Sequence, residues 1–319
     1  MKSVRHFFET QLVRFGAWLL PRLPLHGVRL LADLVGSLAF LIDYRGRDTA
    51  LENLRAAFGS RFTFAQRFSI AHRSYRTFAG TFLGLFWSVR LTEQTWRDYV
   101  TVTPASQADD DAARASGSIW VTPHYGNFEI IGLSWGFRGF PLQVIAQDFK
   151  NPGLTAIFKQ LREQSGHDVI PQRQAMVRLF KALKNGGHCA LLTDLTIKPS
   201  RAATVIRCFG LQTCVTTLHV QLAQRLSLPL FPTLCQPSSD SDHTEAQILG
   251  VLRPQPGDAL TPPTQAIWDH FEPFIHQHPE RWMWMYKHWR YLPPDAPAQN
   301  YPAYANPNKA FNRLLDQLP

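Results

Sequence analysis

The sequence is poor in cysteine and has no unbroken apolar stretch, and both features limit what the protein can be. Its four cysteines form no C-x-x-C pair. This argues against a disulfide-stapled secreted domain and a cysteine-based zinc site, and favours small buried thiols. The chain has no internal repeat and no low-complexity tract. Its 45% hydrophobic and 18% charged residues are typical of a globular protein of one or two domains.

Acidic residues are also scarce relative to basic ones. The 319 residues contain 33 Lys and Arg but only 24 Asp and Glu, for a formal net charge of +9. Residues 1–100 contribute most of this excess, with 14 basic residues against 7 acidic ones. A basic N-terminal third favours an anionic partner, which would be a membrane surface, a nucleic acid or a phosphorylated substrate.

Residues 15–44 are the most apolar N-terminal segment, but prolines and charged residues interrupt them. We therefore expect neither a transmembrane run of about 20 apolar residues nor a signal peptide, since no A-x-A-like cleavage site follows. Arginines such as Arg14, Arg22 and Arg29 alternate with the apolar residues. This pattern predicts helices that lie in a membrane interface, with guanidinium groups at anionic headgroups. The alternative is a pair of amphipathic helices packed on their own domain.

The N-terminal region is predicted to be mostly helical. Helical spacing covers residues 47–58, where Gly59 is a plausible stop, and a second helical pattern covers 64–87. The polar residues 103–118 predict a linker or a short helix. The Arg- and Trp-rich segment 281–290 is also compatible with nucleic-acid binding or with contact at a membrane interface. We favour an aromatic helix packed on the core.

After residue 118 short apolar strands alternate with helices, which predicts an α/β fold with a central mixed sheet flanked by helices. We therefore divide the chain into a basic helical region (1–100), an α/β core (101–292) and a Pro-rich tail (293–319) that runs irregularly over the surface. Strands are predicted at 118–122, 142–146, 189–193, 205–209, 228–234 and 246–252, and helices at 175–183, 217–226 and 266–276.

The sharpest local pattern is PHYGNFE at residues 123–129, between a predicted strand and an apolar run. The spacing of His124 and Glu129 would put them on different faces of a continuous helix. They can meet only if the chain turns between them. Gly126 permits such a turn, and Asn127 is a candidate helix cap. In that arrangement Glu129 orients the imidazole, and His124 takes a proton from a hydroxyl group as a general base.

Two common catalytic patterns are missing. The segment is not an H-E-x-x-H zinc motif, and no G-x-S-x-G nucleophile elbow occurs. The H-x4-E spacing by itself also fits a structural arrangement, in which His124 caps a turn and Glu129 is solvated. The spacing alone therefore leaves both interpretations open.

A strand, then HYGNFE, then an apolar helix resembles the H-x4-D/E motif of the lysophospholipid acyltransferase superfamily. It is most similar to the lauroyl/myristoyl family of lipid A late acyltransferases. Five further blocks resemble those of the family in the same order, over about residues 10–292. They are Asn53-Leu54 with Ala57-Phe58, Leu161-Arg162 with Gly166 and Arg173, the strand end at 191–194, Cys208-Phe209-Gly210, and PERWMW at 279–284.

The resemblance implies acyl transfer from a thioester, usually of acyl carrier protein, to a hydroxyl of a lipid A precursor. The pair His124 and Glu129 would be catalytic without a covalent acyl-enzyme. No metal or organic cofactor is expected, because the acyl thioester is a cosubstrate. Arg162 and Asp194 match functional family positions, and Arg162 would bind phosphate or stabilise the oxyanion. The remaining candidates on the substrate side are Asn127, Arg173 and Lys198, the last two as phosphate contacts.

The resemblance also implies a peripheral or monotopic location at the cytoplasmic face of the inner membrane, without nucleic acid as a partner. Four positions depart from the family pattern, namely Leu195 after Asp194, Cys208 before Phe209, and both His219 and Gln221 in a helix that is usually more apolar. They leave the reaction class unchanged but the acyl chain and the acceptor open. A glycerophospholipid, an ornithine lipid or another glycolipid is an alternative acceptor, and a non-catalytic lipid-binding protein is an alternative function.

Overall fold

The computed structural model describes residues 2–104, 106–146, 148–171, 175–238 and 243–318. The candidate Arg173 lies outside these residues. The α-helices of the described part are α1 (Lys2–Leu19), α2 (Leu25–Ile42), α3 (Tyr44–Phe58), α4 (Phe64–Trp87), α5 (Gln107–Ser116), α6 (Phe128–Phe137), α7 (Pro152–Glu163), α8 (Ala175–Lys184), α9 (Leu218–Leu226), α10 (Thr261–Gln277) and α11 (Lys309–Leu315). The strands are β1 (Val100–Thr103), β2 (Ser118–Thr122), β3 (Leu142–Ala146), β4 (Asp168–Pro171), β5 (His188–Leu192), β6 (Ala203–Cys208), β7 (Leu211–Thr216), β8 (Leu230–Pro237), β9 (Thr244–Ile248), β10 (Tyr291–Leu292) and β11 (Asn306–Pro307).

The predicted mixed sheet flanked by helices is confirmed. Seven strands pair in the order β1-β9-β8-β2-β5-β3-β4. Every pair is parallel except β8 with β9. The central strand β2 has the sequence SIWVT and is buried along four of its five residues. Such a continuous apolar run suits a strand with helices on both faces, because neither face meets water.

The register of β2 and β5 places His124 and Asp194 at the same edge of the sheet. Thr122, the last residue of β2, pairs with Leu192, the last residue of β5. His124 and Asp194 each follow their strand by two residues. Because parallel strands end at the same edge of a sheet, these two side chains emerge as neighbours.

The helix α4 has the predicted limits, and α3 ends where the sequence predicts but begins three residues earlier, at Tyr44. The side chain of Asp43 accepts a hydrogen bond from the Gly46 N–H at the start of α3, and Gly59 ends it with a φ of +54°. Thr63 and Gln66 form a reciprocal capping box at the start of α4. Both patterns satisfy N–H or C=O groups that a helix end leaves unpaired.

The helix α2 differs from its prediction. It has the length and composition of a membrane-crossing helix, with 22% of its apolar window buried. The prediction that residues 15–44 contain no apolar run of membrane-spanning length was wrong. The prolines Pro21 and Pro24, which were counted as interruptions, precede the helix rather than break it. One face packs on α4, where Asp33 accepts from Arg76 Nε at 2.8 Å. The opposite face is exposed, with Leu30, Leu34, Val35, Leu38, Leu41 and Ile42 open to the surroundings.

The C-terminal part also departs from expectation. The aromatic segment 281–290 is a series of turns rather than a helix, although it does lie in the core, since Trp282, Trp284 and Trp289 are fully buried. The tail is not irregular throughout, because it includes α11, whose Phe311 is fully buried. The strands β1, β4 and β7 and the helix α7 were missed. The strands β1 and β4 are only four residues long, too short for a period to show.

Candidate functional site

The side chains of His124 and Asp194 form the centre of the candidate site. Nδ1 of the imidazole lies 2.8 Å from Oδ1 of Asp194. The backbone N–H of His124 donates to Oδ2 of the same carboxylate at 3.0 Å. Asp194 therefore holds both the ring and the backbone of His124, which fixes the direction in which the imidazole points.

The protonation of this pair follows from its surroundings. Complete burial would raise the pKa of Asp194, but the nearby charge and hydrogen bond of His124, the buried His288 and the Trp282 hydrogen bond outweigh it and lower that pKa. An ionised carboxylate only accepts hydrogen bonds, so Nδ1 of His124 carries a proton. In the neutral ring the lone pair then sits on Nε2. This is the tautomer that a general base requires.

Trp282 completes the hydrogen bonding of the buried carboxylate. Its indole Nε1–H donates to Oδ2 of Asp194 at 2.8 Å, and its ring stacks on His288 with centroids 3.9 Å apart. The Trp282 carbonyl accepts from Ser74 Oγ at 2.5 Å. Trp282 is thus held by two contacts of its indole and by one hydrogen bond to its backbone. Sequence reasoning treated this tryptophan only as core, although its position in the PERWMW block was a usable signal.

Asn53 fixes the segment that follows Trp282. Its side-chain N–H groups donate to the carbonyls of Trp284 at 2.7 Å and Tyr286 at 2.6 Å. Its side-chain oxygen accepts from the hydroxyl of Tyr304. An asparagine has two donors and can bridge two carbonyls, which an apolar residue of the same size cannot do. One residue of α3 therefore organises the turns that carry the Asp194 partner.

The loop between β2 and α6 shapes the remaining walls. Gly126 has a φ of +56°, and a Cβ there would meet Arg281 Nη2 at 2.8 Å and Cys235 Cβ at 2.9 Å. The turn that the sequence predicted at this glycine is confirmed. The ring of Phe128 meets the imidazole edge to face at 5.2 Å, and Phe78 stacks at 6.5 Å. Two aromatic rings thus give His124 an apolar surround.

Glu129 does not occupy the place that the sequence suggested. Arg162 Nε lies 3.0 Å from Oε2 of Glu129, and Nη2 lies 2.5 Å from Oε1. The carboxylate that accepts the hydrogen bond from the Nδ1–H of His124 is that of Asp194. Glu129 is nearly buried in the first turn of α6, and a buried carboxylate is stabilised by a bidentate guanidinium. The same contact raises the pKa of Arg162 against the opposing effect of burial.

A cavity of about 270 Å³ opens beside Arg162, at the C-terminal ends of β3 and β4. Phe149, Phe158 and Ile170 supply part of its apolar lining. Lys159 and Asp148 supply charged groups. An apolar cleft with a few charged groups, at the carboxyl edge of a parallel sheet, is a typical ligand site.

The remaining candidates have different positions. Asn127 is the helix cap predicted for it, since its Oδ1 accepts from the Ile130 N–H at 3.2 Å. Lys198 is exposed on the segment after Asp194, before β6. Within the described residues no group of three or more His, Cys, Asp or Glu side chains could hold a metal ion. The geometry therefore offers a positioned base and an apolar cleft beside an arginine.

Comparison with known proteins gives a consistent picture. Residues 2–291 match the family described as bacterial lipid A biosynthesis acyltransferase. The phosphatidylinositol mannoside acyltransferase of Mycolicibacterium smegmatis is 26% identical over 184 residues, which cover 56% of this chain and 58% of that protein. The protein of the same name from Mycobacterium tuberculosis is 26% identical over 185 residues, 56% of this chain and 57% of its own. The chain thus spans less than two thirds of these relatives.

Proposed function

Because this chain belongs to the family of bacterial lipid A biosynthesis acyltransferases, we propose that it moves a fatty acyl chain from an acyl thioester to a hydroxyl of a lipid A precursor. The observation that carries the proposal is the hydrogen bond between His124 Nδ1 and the buried carboxylate of Asp194. It leaves the Nε2 lone pair as the base for a hydroxyl group. A hydroxyl is a weak nucleophile near neutral pH and needs such a base.

The reaction follows in two steps. His124 Nε2 takes the proton of the acceptor hydroxyl while its oxygen attacks the thioester carbonyl, which forms a tetrahedral oxyanion. The oxyanion collapses, the C–S bond breaks, and the leaving sulfur receives the proton from the imidazolium. The products are an ester and a free thiol, without a covalent acyl-enzyme. Asp194 stabilises the imidazolium while it exists.

Arg162 is our candidate for the residue that binds the anionic groups of the substrates. Its Nε and Nη2 are held by Glu129, and the residue also lines the cavity. We propose that its third nitrogen, Nη1, contacts a phosphate or the oxyanion. Glu129 is then a positioning residue that aims Arg162. The apolar lining at Phe149 and Phe158 suits part of an acyl chain.

We propose that the enzyme acts at the cytoplasmic face of the inner membrane. The exposed apolar face of α2 supports this, as does the apolar surface of α1, where Phe7, Phe8 and Leu12 are more than half exposed. Arginines near α1 and α2 would contact anionic headgroups. Arg22 is one of them, and its guanidinium lies 4.3 Å from the exposed Trp18 ring. Acyl carrier protein and a lipid acceptor would both reach the site there.

A second acceptor has specific support. The relatives from two mycobacteria are phosphatidylinositol mannoside acyltransferases, so a mannosylated phosphoinositide is the alternative acceptor. Both acceptors are phosphate-bearing glycolipids with a hydroxyl to acylate, so the same base and the same arginine would serve either one.

The test is a transfer assay in detergent with the full chain. Labelled lauroyl- and myristoyl-acyl carrier protein and the two coenzyme A thioesters are each offered with a tetra-acylated lipid A precursor or a phosphatidylinositol mannoside. We expect an acylated lipid with the parent and none with His124→Ala. Asp43→Asn is the matched control, since that carboxylate binds Tyr75 and Gly46 away from the site. Hydrolysis of the thioester without transfer to either lipid would contradict both acceptors. No turnover of any thioester would contradict the acyltransferase reaction itself.

A further inference from the structure

A second cavity, larger than the one at Arg162, lies at the other end of α6. It has a volume of about 370 Å³. Its lining includes the guanidinium side chains of Arg97, Arg114 and Arg138 and the indole of Trp96. The helix α6 starts next to His124 and is ten residues long, so this cavity is about 15 Å from the catalytic end.

The charges at this cavity are not balanced. Asp110 is the carboxylate that pairs here, accepting from Arg138 Nη2 at 2.8 Å and from Arg114 Nη2 at 3.2 Å. The neighbouring Asp109 pairs with Arg253 instead. Of the three guanidinium groups that line the cavity, Arg114 and Arg138 share the carboxylate of Asp110 and lie near the weak negative pole at the end of α6, and Arg97 adds a third positive charge. Burial lowers the pKa of Arg138, Asp110 raises it, and the positive charges of Arg114 and Arg97 lower it further, with a net decrease.

Hydrogen-bond donors are left over as well. Within the described part of the chain, neither Arg138 Nη1 nor Trp96 Nε1 has an acceptor, although both atoms are buried. Buried N–H groups are nearly always paired, and an unpaired one costs about 1–3 kcal/mol. Both donors belong to residues that line this cavity with its surplus positive charge, which favours an anion with several acceptor oxygens as its ligand.

The shape of the cavity narrows the ligand class. The apolar part of its lining comes from Val100 and Val102 of β1 and from Trp96. Arg97 lies over that ring at 4.6 Å and is itself exposed at the mouth. A volume of about 370 Å³ is in the range of small-molecule sites and exceeds what a bare ion fills.

We propose that this cavity is a second binding site, which takes a phosphomonoester with a small organic group. The phosphate lies against Arg97, Arg114 and Arg138, and the organic part rests on Trp96 and β1. The site is separate from the transfer reaction, and the proposal stands independently of the acceptor lipid. The phosphomonoester is either a soluble metabolite or a lipid headgroup, since both present the same dianion.

Titration calorimetry with inorganic phosphate and with glycerol 3-phosphate tests the proposal, against sodium chloride at equal ionic strength. We expect the parent to bind both phosphates, and glycerol 3-phosphate more tightly. Arg97→Ala should weaken binding about tenfold, because it removes a charged donor at an exposed position. Trp96→Phe keeps the apolar ring and removes only the N–H, so a weaker loss of a few-fold is expected. Arg90→Ala is the matched control, an exposed arginine that stacks on Trp87 instead.

Vesicles distinguish the two sources. If retention on phosphatidylcholine vesicles with added phosphatidic acid also falls in Arg97→Ala, the ligand is a lipid headgroup. If only glycerol 3-phosphate binding falls, it is a soluble phosphomonoester. The proposal is overturned if the parent shows no heat with millimolar phosphate, or if Arg97→Ala and Trp96→Phe bind as Arg90→Ala does. A thermal melt of each variant shows whether it is folded when it is tested.

Discussion

Replacing Asp194 with asparagine changes one atom of the site and should nearly abolish turnover. Oδ2 of Asp194 accepts two hydrogen bonds, from the His124 backbone N–H and from Trp282 Nε1. The asparagine oxygen must take that place, because its NH2 group there would leave two buried donors unpaired at about 1–3 kcal/mol each. The NH2 group then occupies the Oδ1 position and donates to His124 Nδ1. The proton of the neutral imidazole moves to Nε2, and the base is lost.

The expected magnitude follows from this tautomer. For a histidine held by a buried aspartate, the wrong tautomer costs about 10⁴-fold in kcat, or about 5 kcal/mol of transition-state stabilisation. The assay is single-turnover acyl transfer with the parent, Asp194→Asn and the control Asp43→Asn. Nitrogen NMR of the imidazole reports the tautomer directly. We expect Nδ1–H in the parent and Nε2–H in Asp194→Asn, with the control like the parent in both measurements.

Two results would refute the reasoning. A folded Asp194→Asn protein that keeps a tenth or more of the parent rate would show that Asp194 does not set the tautomer. An unchanged NMR signature with a large rate loss would show that the carboxylate acts in another way, for example on the substrate itself.

Three further predictions concern stability and location. Glu129→Leu should lower the free energy of unfolding by about 1–3 kcal/mol, because it leaves the half-buried guanidinium of Arg162 without its carboxylate. The double variant Glu129→Leu with Arg162→Met should regain much of that loss without activity. Equal denaturation midpoints for the single and double variants would count against the pair. Burial lowers the pKa of His219 to about 3. Between about pH 6.5 and 3 the unfolded state therefore binds a proton that the folded state does not, so the free energy of unfolding should be highest above about pH 6.5 and decline as the pH falls toward 3. Thermal melts of His219→Leu should show a flatter decline, and a pH profile identical to that of the parent would contradict this. The double variant Leu34→Asp with Leu38→Asp should reduce sedimentation with anionic vesicles, because both side chains are about half exposed on α2. The control Val177→Asp on α8, at a residue 69% exposed, should not. Equal sedimentation of the parent, the double variant and the control would contradict membrane contact through α2.

Much of the fold could be read from the sequence, because local signals and tertiary structure agree there. The apolar run 118–122 becomes β2, and the helical pattern at 64–87 becomes α4 with the same limits. The residues that follow β2 and β5 are each predicted to lie at the end of a strand, but the sequence does not show that these two strands are neighbours. Only the resemblance singled out Asp194, and its hydrogen bond to His124 required the register.

The partner of Glu129 could not be predicted in this way. Spacing shows which residues share a helix, but Arg162 comes from α7, a helix whose rotation is fixed by packing against its neighbours. The prediction of a helix over residues 281–290 failed for a related reason. Its aromatic residues fill the core from turns that are held by distant groups such as Asn53, and no local period records such contacts.

The contacts of Asn53 have a consequence for how the enzyme matures. The side-chain amide of Asn53 in α3 holds the turns after Trp282 and accepts from the hydroxyl of Tyr304, which lies 251 residues further along the chain. Synthesis proceeds from the N-terminus, so His124 and Asp194 leave the ribosome long before the indole that completes them. A nascent or prematurely terminated chain therefore contains the base and its carboxylate without their fixed geometry. The geometry of the site is therefore complete only after the segment through Tyr304 has been synthesised.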